Sequence, residues 1–531
     1  MKKITIVGGG IVGAFEAYRA WQDAQAEGET LRVTIYEKHP ELLSTAMGIA
    51  PRLTPDEILA VVPRGRELIE ALTRLFNEPR GIRVDDVVGV NDSPAAQEFI
   101  AAVERSGADD EGYKLRTSAL LELGKKSMDL WRTFYEEADS ELKRILEDSN
   151  FNPCHEPLDP SVKALRKGYR IDLIAGKADA VVTAEGMSST YKGLGYHSSQ
   201  VLSPDEVVFI DPFLCDFCEA HSEFDGSGKR VWKNDAAGVW RPGGCIDVKT
   251  FLPKFYDYLK HKMGSYSGAD GAQKPCFHLK FNQKVDGLIY DQADTVAGLL
   301  FADHTKRNKR PYTASNYVLA PGEAVGTLRR FGLKEPPYAG FAGASLKLII
   351  PIPAAEHERF ADLRQYMEVH KVGVVLAWQA RIIGDTLSIA VGGTKAFYAD
   401  IPPHKDEAFA CDRNLLQLNM INDVLPKAIS LALGRDTKGQ TLTREDLITL
   451  EARGIATRWV GTRAVAYDGV PNLGRVRKAD GTLLTNARVT TALGSGGVSF
   501  VLGAVAASRA ALTVTSDPKT PALLNYTDPS R

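Results

Sequence analysis

An α/β fold is the class this sequence predicts, and three observations carry it. A β-branched run, Ile4-Thr5-Ile6-Val7, stands at the start of the chain. The glycine run Gly8-Gly9-Gly10-Ile11-Val12-Gly13 follows and leads into a helical pattern, Ala14-Phe15-Glu16-Ala17-Tyr18-Arg19-Ala20-Trp21. A polar turn, Gln25-Ala26-Glu27-Gly28-Glu29, then precedes a second apolar run, Arg32-Val33-Thr34-Ile35-Tyr36, which ends on Glu37. Strand, turn, helix and strand in this order form the βαβ unit from which parallel sheets are built.

Each element has a physical reason. The first run is β-branched without polar alternation, as a strand buried on both faces must be. Gly8, Gly10 and Gly13 spell G-x-G-x-x-G. Gly8 permits the tight turn, Gly10 lets backbone approach a pyrophosphate, and Gly13 lets the helix pack close to the strand. Ile11 and Val12 open the helix, whose free N–H groups and positive dipole end face the phosphates. Glu37 ends the second strand, where its carboxylate accepts hydrogen bonds from an adenosine ribose and repels a 2′-phosphate. The sequence therefore predicts a Rossmann-like dinucleotide site and disfavours NADP. The motif alone does not separate FAD from NAD.

The chain has 531 residues, too many for one hydrophobic core, so at least two domains are expected. Hydrophobic residues make up 44% and charged residues 25%, which excludes disordered, collagenous and coiled-coil chains. Lys and Arg number 65 against 67 Asp and Glu, a net charge of −2 that provides no field for nucleic acid or an anionic membrane. The basic run Lys306-Arg307-Asn308-Lys309-Arg310 reads as a solvated loop flank. No apolar stretch approaches a membrane span, and the apolar start collapses at Gly8 before any leader could form, so a cytoplasmic protein is expected. Six cysteines form no dense framework, in keeping with a reducing compartment. Cys215 and Cys218, with His221 three residues on, leave two readings open: a metal or redox pair, or two buried thiols in an apolar turn.

The far end of the chain carries a second pattern. Residues 458–474, from Arg458-Trp459-Val460-Gly461-Thr462-Arg463 through Asp468-Gly469-Val470-Pro471-Asn472-Leu473-Gly474, have the form W-x-G-x-R-x(4)-D-G-x-P-x-x-G. A strand-like stretch after Asn486, the turn Leu493-Gly494-Ser495-Gly496-Gly497 and a small-residue helix from about Val498 follow. Between the two ends lie Trp240-Arg241-Pro242-Gly243-Gly244-Cys245-Ile246-Asp247, before a helix around Phe251–Leu259, and a β-meander around Val285–Asp291 and Thr295–Asp303. The meander leads to Tyr317-Val318-Leu319-Ala320-Pro321-Gly322. In order and spacing these pieces resemble the D-amino acid oxidase / glycine oxidase superfamily of FAD-dependent oxidoreductases. The resemblance covers roughly residues 1–54, 240–350 and 385–512.

That resemblance implies a GR2-type FAD-binding domain, a second mixed-sheet substrate domain and a helical insertion. The expected division is 1–54, 240–336 and 456–531 for the FAD domain and 337–455 for the substrate domain. Residues 55–239 are expected to hold the helical insertion and part of the substrate domain. Simple members of the family are shorter, and the excess lies between residues 55 and 240. A lid, an oligomer surface and a specialised substrate wall are uses open to that stretch, and its aromatic stripe (Met128, Leu130, Trp131, Phe134, Tyr135, Leu142, Ile145, Leu146) reads as packing against the catalytic body.

The implied FAD contacts are Gly8, Gly10, Ile11, Val12, Gly13, Glu37, Lys38, Ser44, Thr45, Met47, Gly494, Ser495, Gly496, Gly497 and Val498. If the last helix starts at Gly497-Val498, its N–H groups meet the flavin N1/C2=O edge. Arg463 is the candidate catalytic and carboxylate-binding residue, through its planar fork. Ala464 follows it where the family often has Pro, so the local turn differs. Tyr467 and Tyr398 are candidate substrate contacts, with Tyr366 and Trp378 as further aromatics. Lys347 and Lys395 are candidates for oxygen activation. Leu43–Ala50 has no His and Trp459–Arg463 no Cys, so non-covalent FAD is expected. The expected partners are a small amine or amino acid and oxygen or another electron acceptor, with oligomeric state open. The competing readings are a flavin monooxygenase, against which the absence of a G-D-A segment argues, and a non-enzymatic flavin-binding interaction protein.

Overall fold

The structure, a computed structural model, describes residues 1–42, 52–54, 94–107, 110–153, 169–268, 271–302, 314–322, 326–360, 366–371, 374–393, 396–398, 407–491 and 497–513. Two large sheets organise these residues. The first has six strands in the order Phe277–Lys280, Leu31–Tyr36, Lys2–Val7, Asn316–Leu319, Leu483–Thr491 and Asn472–Arg477. All pairs are parallel except the last. Segments from both ends and the middle of the chain thus share one sheet, because each offers a run apolar enough to be buried on both faces.

Three helices cover one side of this sheet: Ile11–Ala26, Val248–Met263 and Val501–Thr513. Asp247 caps the middle one, accepting from the Thr250 N–H at 3.3 Å and the Thr250 hydroxyl at 2.8 Å. The hairpin Val285–Tyr290 and Val296–Phe301 contributes to the core on the other side.

The aromatic stripe joins the first body. Met128, Trp131, Phe134, Leu142, Ile145 and Leu146 are buried in one core with the first helix and Val248–Met263. Phe15 lies 5.2 Å from the Trp131 ring and 5.1 Å from Phe255. The first contact is edge-on and the second tilted by 40°, and both add to the large apolar area the rings bury. The helix Asp110–Glu136 is therefore part of this core.

The second sheet has nine strands. Ala456–Ala466 lies beside Tyr338–Pro351, followed by Thr386–Gly392, Val374–Ile383, Tyr366–Lys371, Tyr169–Ala175, Ala236–Pro242 and Gln200–Leu202; Ala396–Tyr398 pairs with the early part of Tyr338–Pro351. One face is apolar: Leu346, Leu348, Ile350, Ile171 and Trp240 pack with residues of helices Glu407–Val424, Pro426–Leu433 and Arg444–Ala452. Side chains alternate along a strand, so Lys347, Arg463, Arg170, Asp172 and Arg241 share the opposite face. At one end of that face Asp172 pairs with both Arg170 and Arg241, all three buried.

One boundary differs from the sequence division. The strand Ala456–Ala466, grouped there with the third FAD segment, pairs along eleven residues with Tyr338–Pro351 in the larger sheet. The chain crosses to the six-stranded sheet only after the turn at Asp468-Gly469. Long antiparallel pairing decides this, and local pattern cannot reveal a partner more than a hundred residues away.

Cys215 and Cys218 lie on a short helix, Cys215–His221, and Cys218 is buried against Leu214 and Phe217. Burial, then the neighbouring Cys215, pushes the Cys218 thiol up to about 12. Among the described residues no group of three His, Cys, Asp or Glu side chains could hold a metal, and no helix is long and apolar enough to cross a membrane. Because the folded thiol stays protonated below that range, Cys218 should resist iodoacetamide at pH 9 in the native protein and react once urea unfolds it. Mass spectrometry of native protein carrying carbamidomethyl-Cys218 would refute this.

Candidate functional site

The site begins where the first strand ends. The Gly8 N–H donates to the Tyr36 carbonyl at 2.9 Å, and the Ala320 N–H donates to the Val7 carbonyl at 2.8 Å, so three strands hold the turn. Gly8 has φ +112, and a Cβ there would lie 2.0 Å from the Ala320 oxygen. A Cβ on Gly13 would lie 2.1 Å from the Gly8 oxygen. Both glycines are required by close backbone approach.

Gly10 caps the first helix without a side-chain hydrogen bond, and the first turn holds no acidic residue. Its leading N–H groups and positive end are thus available to an anion. Ile11 is buried in the core and Val12 packs against it, so these two offer the site backbone only. Glu37 is positioned at both oxygens: Oε2 accepts from the Gly9 N–H at 2.8 Å and Oε1 from the His39 N–H at 3.0 Å. Lys38 follows, exposed. A phosphate cradle beside an oriented carboxylate fits the pyrophosphate and ribose of a dinucleotide.

Tyr256 belongs to this site, although sequence reasoning passed it over. Its hydroxyl donates to the Gly10 carbonyl at 3.3 Å. Burial, and then the Glu37 carboxylate, push its pKa up, so it remains a donor. The only sequence signal was its place in the helix after Asp247.

At the other end of the chain the expectation needs correction. The last helix runs Val501–Thr513, and residues 497–500 form a turn before it. Gly497 and Val498 therefore precede the helix. The reason lies far away in sequence: the buried Ser127 hydroxyl donates to the Ser499 carbonyl at 2.6 Å and accepts from the Gly503 N–H at 3.1 Å. Trp131 Nε1 donates to the Val498 carbonyl at 3.3 Å, and the Thr54 N–H donates to the Ser499 hydroxyl at 3.0 Å. The helix Asp110–Glu136 thus caps the last helix and holds the turn before it. A Cβ on Gly503 would come within 3.0 Å of Ser127 Cβ, so the close approach depends on that glycine.

Arg463 lies opposite Phe341 in the larger sheet, half-buried, on the face turned away from the helices. Tyr467 follows that strand, its N–H donating to the Pro337 carbonyl at 3.0 Å. Lys347 is opposite Thr457, six residues along from Arg463. That is about 20 Å of strand, so the two do not meet. Tyr398 is described by its backbone, opposite Gly340; Tyr366 and Trp378 are likewise placed only as strand positions. Ser44, Thr45, Met47, Lys395, Gly494, Ser495 and Gly496 lie outside the described residues.

No protein-family model and no curated protein matches this sequence. Solved structures do match. Glycine oxidase from Geobacillus kaustophilus superposes with a TM-score of 0.54 at 14% identity, covering 100% of this chain and 99% of that one. Glycine oxidase from Bacillus cereus gives 0.53 at 12% identity, with 99% and 98% covered. Iminodiacetate oxidase from Chelativorans sp. BNC1 gives 0.53 at 15% identity, also with 99% and 98% covered. End to end, this chain shares its fold with these three oxidases.

Proposed function

We propose that the protein is an FAD-dependent oxidoreductase that oxidises the C–N bond of a small amine or amino acid. The observation that carries this reading is the Gly8–Gly13 cradle beside Glu37, set in a fold shared with glycine and iminodiacetate oxidases. In this reading the six-stranded body holds FAD, and the larger sheet walls the substrate. Gly8, Gly10 and Gly13 admit the pyrophosphate, Glu37 binds the ribose, and the turn at Gly497-Val498 closes on the flavin side. FAD, when bound, supplies a hydride acceptor at N5 and passes the electrons on to oxygen or another acceptor. The chain's own task is to hold the substrate C–H bond in line and keep water out. Hydride and proton leave the substrate as its C–N bond becomes C=N.

Arg463 orients the substrate by pairing with a carboxylate, which favours amino acids or N-substituted amino acids over simple amines. Loss of one partner of a buried charge pair costs about 2–5 kcal/mol. Arg463→Ala should therefore lower kcat/KM on a carboxylate-bearing substrate roughly 30-fold or more while FAD stays bound. Arg463→Lys should recover only part, since an ammonium lacks the fork. Equal losses on an amine without a carboxylate would assign Arg463 to the fold instead.

FAD is held non-covalently in this proposal, so acid precipitation should release the yellow chromophore. A colourless protein that takes up NAD alone in calorimetry would overturn the FAD reading. A cytoplasmic location is proposed with it, supported by the free thiols of Cys215, Cys218, Cys245, Cys276 and Cys411.

A further inference from the structure

A buried carboxamide with nothing to bond to lies at the ligand edge of the six-stranded sheet. Asn472 is fully buried, and neither its Oδ1 nor its Nδ2 has a hydrogen-bond partner. Among the described residues it is the one buried asparagine with both side-chain atoms unpaired. Asn150 and Asn414 each leave one buried amide atom unpaired, and Asn414 still donates from Nδ2 to the Ser345 carbonyl at 3.0 Å. The half-buried Asn486, on the neighbouring strand, is fully paired: it donates from Nδ2 to the Val296 carbonyl at 2.8 Å and accepts at Oδ1 from the Val296 N–H at 2.9 Å. Leaving such a group unpaired forfeits its hydration without return, so an orphan calls for a partner outside the protein.

Its position says which partner. Asn472 stands opposite Thr491, two residues beyond the row in which Val489 aligns with Leu319 and Leu319 with Val7. That is the level of Gly9, past the carboxyl ends of the parallel strands, where α/β sheets bind ligands. Leu473 next to it packs into the core on the first helix's side, so Asn472 turns to the other face. Glu37 ends the strand on one side of Lys2–Val7; Asn472 lies three strands away on the other side, about 14 Å at the usual strand spacing. A dinucleotide with its ribose at Glu37 and pyrophosphate at Gly10 carries its second half across these strands.

We propose that Asn472 is a cofactor-binding residue that pairs with the imide edge of the flavin. A primary amide offers one donor beside one acceptor, and the N3–H flanked by carbonyls on the flavin pyrimidine ring is its complement. The backbone amide of Val296 gives Asn486 the same pattern. This inference rests on the FAD reading above and adds a residue to it.

The test compares Asn472→Leu with wild type, both stripped of flavin, by calorimetric titration with FAD and separately with ADP. Leucine keeps the volume and removes both polar atoms. FAD affinity should fall roughly tenfold or more, the net effect of two neutral hydrogen bonds. ADP lacks the flavin half and should bind both proteins alike. The flavin-free variant should also melt above flavin-free wild type, because its orphan amide is gone. Asn472→Ala gives the same FAD-against-ADP comparison if leucine fails to fold. Unchanged FAD affinity would overturn the inference while leaving the FAD reading intact. An equal loss for FAD and ADP would overturn it too, by assigning Asn472 to the fold. A wild type that binds ADP but not FAD would overturn both.

Discussion

Replacing Glu16 by alanine is expected to destabilise the protein by about 3–5 kcal/mol, the usual cost of leaving a buried charge without its partner. Glu16 sits in the first helix with no exposed surface and pairs with Arg488, itself buried, on the strand Leu483–Thr491. Thr490 adds a hydroxyl hydrogen bond to its Oε1 at 2.8 Å. Alanine would strand the Arg488 guanidinium between helix and sheet and leave a cavity beside it. Urea denaturation followed by far-UV circular dichroism measures the loss as a lower midpoint. Replacing both charges together, Glu16→Leu with Arg488→Leu, should recover most of it, since desolvation offsets much of a buried pair's attraction. A single-variant loss below about 1 kcal/mol, the value typical of an exposed pair, would show that water reaches this site.

Gly8→Ala is expected to give a folded protein that is mostly empty of flavin. The residue is held at φ +112 with the Ala320 oxygen 2.0 Å from where a Cβ would stand. The listener to this clash is rigid backbone on the neighbouring strand, so the turn itself must shift. Strain of this kind costs about 2–3 kcal/mol, which as lost affinity is roughly 30- to 150-fold for FAD. Fluorescence quenching on FAD titration measures it. Gly28→Ala is the control: Gly28 also has positive φ, at +67, but nothing lies within 4 Å of its Cβ position. That variant should lose some stability and keep FAD. Equal affinities for Gly8→Ala and Gly28→Ala would mean that the turn at Gly8 does not shape the phosphate site.

The parts of this protein that can be read from its residues alone are those whose physics is local. The strand–glycine–helix–strand opening is legible because β-branched burial, close backbone contact and helical periodicity act within a few residues. The capped helix after Asp247 and the hairpin around residues 285–301 are legible for the same reason. Other features were decided by tertiary structure. Glu16 looks like any solvated helix acid until Arg488 arrives from 472 residues away. The last helix starts at Val501 because Ser127, on another helix, holds its first turn. Arg463 belongs to the larger sheet because its strand finds eleven partners in Tyr338–Pro351. Asn472 reads as one polar letter in a loop motif, and only the folded sheet leaves its amide buried and unpaired. In each case the deciding energy is a buried charge, a cap or a strand register shared between distant segments, and a linear pattern does not encode which segments meet.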